Sequence, residues 1–163
     1  MTQDTQLIKK DRMRYTKDKF SSTLALLAIV FDCLYFVSIY QSDVGSWYYN
    51  WVIGASVIYN LVFLLAAFLA SESVKNRKNG YSAVLALIGI LQFVRVFYLP
   101  AKAHAATVMV SGVEVAVMEN GQYMYVVACL VISGICCVVA AVTSYINNKT
   151  LAEYMRTLEN QSA

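Results

Sequence analysis

Charge is scarce in this sequence: 14% of its 163 residues are Asp, Glu, Lys or Arg, while 59% are hydrophobic and the mean hydropathy is +0.54. A soluble domain this apolar would lack the polar surface it needs to stay in solution. Histidine occurs once, as His104, far from every cysteine in the sequence, so a zinc site is not expected. The four cysteines, Cys33, Cys129, Cys136 and Cys137, fall in apolar runs rather than in loops, which argues against a disulfide framework. Cys136 and Cys137 are neighbours, about 100° apart on a helix, and do not have a metal-ligand spacing. They read as small buried apolar side chains. No glycine-rich phosphate loop and no nucleophile–base–acid set is present. The expectation is a protein with no catalytic residues, no metal and no cofactor.

Long apolar runs are what the chain has in quantity. A spanning helix needs about 20 mostly apolar residues to cross about 30 Å of hydrocarbon. Four runs meet that length, at about 21–41, 47–71, 81–99 and 123–146. The first follows a polar tail and is longer than the core of a signal peptide, so it is expected to be a retained helix. The predicted fold class is an all-α membrane protein, a four-transmembrane-helix bundle. Its expected parts are a cytoplasmic basic tail over 1–19, a transmembrane domain over 20–146 with an outer loop over 100–122, and a cytoplasmic amphipathic tail over 147–163.

The basic residues orient the bundle. Lys9, Lys10, Arg12, Arg14, Lys17 and Lys19 lie in the first tail; Lys75, Arg77 and Lys78 lie between the second and third runs; Lys149 and Arg156 follow the fourth. These segments share one side of a four-span topology. The other side holds only Lys102, and Arg95 lies within the third run. Short loops rich in Lys and Arg stay in the cytoplasm, so both termini are expected there, with the protein in the plasma membrane. Tyr40, Trp47, Tyr48, Tyr49, Trp51, Tyr98, Tyr123 and Tyr125 fall at the outer boundary, where amphipathic rings are favoured. Tyr15, Phe20, Tyr81 and Tyr145 mark the inner one.

The connections set neighbours. The turn over 41–46 and the inner loop over 72–80 are short, so consecutive helices should pack antiparallel. Pro100 is expected to close the third helix. In the outer segment, Ser111-Gly112 separates two Val-rich runs and predicts a hairpin with strands near 106–110 and 113–118. Beyond the fourth span, Thr150 and Glu153 fit a capping box. Leu151, Tyr154, Met155 and Leu158 then follow on one face, giving a short amphipathic helix that either lies on the inner leaflet or contacts a partner.

Two ionisable residues fall inside the runs, Asp32 in the first and Arg95 in the third, with the amides Asn60 and Gln92 in the second and third. A charge at mid-membrane is costly and needs a partner or a water-filled path. At 1.5 Å per residue, Asp32, Asn60 and Gln92 lie about 16 Å from their inner helix ends and Arg95 about 21 Å. An Asp32–Arg95 ion pair is therefore predicted, with Asn60 and Gln92 taking up the remaining hydrogen bonds. Stripes of small residues let helices approach closely: Ser56, Asn60, Ala67 and Ser71; Ser82, Ala86 and Gly89; Ser133, Cys137, Ala140 and Ser144.

Cancelled internal charge and an absent catalytic set point to a non-catalytic accessory or structural subunit of a transporter-type membrane complex. The alternative is a small homo-oligomeric transporter with a polar site at Asp32 and Arg95. The expected partners are the lipid bilayer and other membrane subunits, or further copies of the chain. Nucleic acid is not expected, because a basic tail beside a spanning helix holds the anionic inner leaflet.

Overall fold

The computed structural model describes residues 3–40, 51–78 and 80–162. The turn expected over 41–46, and Trp47, Tyr48 and Tyr49 with it, lie outside the described residues. The elements run α1 (Gln3–Tyr15), α2 (Lys19–Tyr40), α3 (Trp51–Lys75), α4 (Tyr81–Val96), α5 (Leu99–His104), β1 (Thr107–Val110), β2 (Val113–Ala116) and α6 (Asn120–Ser162). Four segments are long and apolar enough to cross a membrane: Lys19–Tyr40, Gly54–Lys75, Tyr81–His104 and Asn120–Asn160. Each carries apolar side chains around its whole circumference. Leu26, Val30, Leu34 and Val37 of α2 and Ile58, Leu61, Leu65 and Phe68 of α3 are exposed, as on a surface meant for lipid rather than water.

Helix α6 packs along both α2 and α4, and α3 packs along the same two helices from the other side. The four therefore stand in a ring in the order α2, α6, α4, α3. Small residues line the seams. Ala25, Ala28, Ala67, Ala70, Ser71, Ser133, Cys137, Ala140 and Ser144 are all buried, so helix backbones approach closely. The tightest crossing is between α4 and α6. A Cβ added at Gly89 would lie 2.8 Å from a Val138 methyl, and one added at Gly134 would lie 3.0 Å from the Phe93 ring.

Core composition changes along the bundle. At the end that carries the termini and most of the basic residues, here the basic end, the core is Ala25, Ala70, Val74, Leu85, Ala140 and Ala141. At the opposite end it includes Tyr35, Ile39, Leu99, Met118 and Leu130. The two strands pair antiparallel, Val110 opposite Val113, with positive φ at both Ser111 and Gly112, as a two-residue hairpin turn requires. Val117 and Met118, just past β2, are buried in that end of the bundle and anchor the hairpin. Met109, Val113 and Val115 remain exposed.

Three features depart from the sequence expectations. The third span does not end at Pro100. Helix α4 stops at Val96, and Pro100 sits in the first turn of α5. A proline ring clashes with the carbonyl four residues earlier, here that of Val96, and its missing N–H costs nothing in a first turn. The tail over 3–15 is helical, and α1 packs along α6. The capping box at Thr150 and Glu153 does not form, because α6 runs unbroken from Asn120 to Ser162. Asn147, which would be a weak helix residue on its own, has a tertiary partner: its amide donates to Asp18 at 3.1 Å.

Asp18 joins three helices at the basic end. Its Oδ1 accepts from the backbone N–H of Ser21 at 3.2 Å, an N-cap for α2, and its Oδ2 accepts from Ser21 Oγ and from Asn147. Its own N–H donates to the carbonyl of Lys75 at the end of α3. Asp18→Ala removes the cap and should lower stability by about 1–2 kcal/mol. Denaturant titration of the purified protein in detergent measures this, and an unchanged midpoint would contradict the assignment.

Candidate functional site

Every spanning helix contributes a polar side chain to one layer near mid-depth. Arg95 of α4 and Asp32 of α2 stand across the bundle from each other and pair at 2.9 Å, with side chains 8% and 1% exposed. Gln92, one turn before Arg95, donates through Nε2 to the same Asp32 oxygen at 2.8 Å. The other arm of the Arg95 guanidinium donates to Asn60 Oδ1 of α3. Ser133 of α6 accepts from Gln92 and donates to the carbonyl of Ala28 in α2 at 2.9 Å. The guanidinium carbon also lies 4.4 Å from the ring centre of Tyr35 and 4.8 Å from that of Tyr59. The cation is thus within reach of two aromatic π-systems while its edges hydrogen-bond.

The structure brings together Asp32, Asn60, Gln92 and Arg95, the four residues singled out from the sequence. Three members were not anticipated in this role. Ser133 read as one of a small-residue stripe, since a serine in a helix carries no charge or depth signal. Tyr35 and Tyr59 were two of many aromatics. Their spacing could have drawn attention: Tyr35 stands three residues after Asp32, and Tyr59 adjoins Asn60.

Satisfaction of the layer is incomplete. Asp32 Oδ2, Gln92 Oε1, Asn60 Nδ2 and the Tyr35 hydroxyl are buried with no hydrogen-bond partner in the structure. On the α3–α4 side a cleft of 330 Å³ reaches the guanidinium, lined by Ser56, Tyr59, Leu91, Val94, Arg95 and Tyr98 among others. The layer can hold a charge pair and orient hydrogen bonds. It presents no nucleophile beside a base.

The second candidate set, Leu151, Tyr154, Met155 and Leu158, lies on the extension of α6 beyond the bundle. All four are half-buried. Helix α1 contacts α6, the helix that carries the stripe. The four cysteines are free thiols, Cys33 exposed and the others buried. His104 bonds Asn120 and lies 4.4 Å from the Tyr123 ring, joining α5 to the start of α6.

Four apolar spans around a buried charge pair define the class: a multi-pass helical membrane protein with a polar centre. Comparison with protein families, with curated proteins and with solved structures finds no match to the chain.

Proposed function

We propose that this chain is a non-catalytic accessory or structural subunit of a membrane complex, in the plasma membrane with both termini in the cytoplasm. One observation carries the reading: among the described residues, the charges at mid-depth in the spans pair with each other, Asp32 and Arg95 being 1% and 8% exposed. A charge that must exchange ions or protons needs access to water, whereas a charge that fixes helix register does not. The orientation rests on the Lys and Arg residues gathered at the basic end. Surface left over for neighbours includes the thinly packed α3 and the exposed strand residues Met109, Val113 and Val115. Extraction in mild detergent followed by native mass measurement should give a particle well above the 18.2 kDa of the chain and containing other polypeptides. A monodisperse monomer or homodimer would count against it.

A second reading, a small homo-oligomeric transporter, is favoured by the unpartnered polar atoms of the layer and the cleft that reaches Arg95. Solute flux through vesicles that hold the purified chain alone would establish it. Sealed vesicles with no flux above background would leave the subunit reading.

A further inference from the structure

We propose that the junction of α1, α2 and the α3–α4 turn is a binding site for the phosphate group of an anionic lipid, with Arg77 as its central ligand. The turn after α3 closes in a Schellman motif: Lys78 N–H donates to Ser73 O at 3.0 Å and Arg77 N–H to Val74 O at 2.9 Å. Arg77 occupies the position of that motif where the backbone is left-handed, with φ 54°, and where glycine is the usual residue. An arginine there strains the backbone, and the motif itself gains nothing from the side chain. What the side chain does is reach back to the α1–α2 junction, where Nε donates to the carbonyl of Thr16 at 3.1 Å. Its Nη1 is buried and has no hydrogen-bond partner in the structure. An unpaired cationic N–H removed from water is unfavourable, and an anionic oxygen relieves it.

The surroundings suit a phosphate. Tyr15, Thr16, Lys17, Asp18, Lys19, Phe20 and Arg77 line an open cleft of 610 Å³. Lys17 and Lys19 are exposed and add two positive charges. Both oxygens of Asp18, the one carboxylate present, are already engaged by Ser21 and Asn147, and the site keeps a net positive charge. Beside these cations stand two large exposed aromatics, Tyr15 at 79% and Phe20 at 62%. They flank the start of the first span, at the level where rings enter a lipid interface. A phosphate presented on acyl chains satisfies both halves of the site. A free phosphate satisfies only the cations.

The test uses the full chain in detergent, with phosphatidylglycerol added and retention read by native mass spectrometry. Arg77→Gly removes the guanidinium and places glycine where φ already suits it, so the fold is retained. Arg77→Asn, which also tolerates a left-handed backbone, is the second variant. Both should weaken phosphatidylglycerol retention about tenfold, the worth of a charge-assisted hydrogen bond. Thermal unfolding without added lipid should stay at or above that of the unsubstituted chain for Arg77→Gly. The double variant Lys10→Gln/Arg12→Gln removes two charges from α1 outside the cleft and should change retention less than about twofold. If that variant loses as much as Arg77→Gly, the attraction is diffuse and the site is overturned. Displacement of the lipid by an equal concentration of soluble glycerol phosphate would overturn the lipid assignment.

Discussion

Asp32→Ala is expected to destabilise the bundle by about 3–5 kcal/mol. The cost comes from what remains. Arg95, its side chain 8% exposed, would keep its place beside Tyr35 and Tyr59 with its bond to Asn60 but without a counter-charge. Arg95→Leu should cost a similar amount, because it leaves Asp32 with only the Gln92 amide. Replacing both by leucine removes the two charges together, and that variant should be less destabilised than either single one. The cycle is read by unfolding in a denaturing detergent series. Single variants within about 1 kcal/mol of the parent, or strictly additive effects, would show that the pair is not coupled.

Gly89→Leu should cost about 1–3 kcal/mol through overpacking, and more if α4 and α6 are forced apart along their length. The Cβ alone would stand 2.8 Å from Val138 and 3.1 Å from the carbonyl of Gly134. The backbone oxygen cannot move aside as a side-chain tip can. Gly121→Ala is the control, since nothing lies within 4 Å of a Cβ there. Equal stability of the two variants would mean that α4 and α6 do not cross as described. Separation of those helices would also pull Gln92 away from Ser133, so the polar layer and the glycine crossing should fail together.

The spans and the members of the polar layer were legible because both are nearly one-dimensional properties. An apolar run of sufficient length has few alternatives in a membrane, and a fixed rise per residue converts position into depth. Equal depth aligns Asp32, Asn60 and Gln92 from the sequence alone, and the long side chain of Arg95 reaches them. Ser133 was not legible in its role, because a hydroxyl bonds its own helix as readily as a neighbour. Asp18 carried a readable signal, a capping residue directly before an apolar run. That signal is obscured by the six basic residues of the same tail. The break at Phe97–Tyr98 follows from Pro100, but the clash acts four residues back, so the proline itself begins a helix. Thr150 and Glu153 misled for a different reason. A capping pattern starts a helix only where the preceding residues are free to leave one, and Asn147 is held in place by Asp18.

The unbroken course of α6 has a mechanical meaning. At 1.5 Å per residue its 43 residues make a rod of about 64 Å, roughly twice the hydrocarbon thickness of a bilayer. Residues 147–162 extend it about 24 Å past the expected end of the last span. A rod with no hinge acts as a lever arm. A tilt of about 10° within the bundle swings its far tip sideways by about 4 Å at that length. Motion at the hairpin end is therefore transmitted to whatever grips Tyr154 and Leu158, without any change in the helix itself.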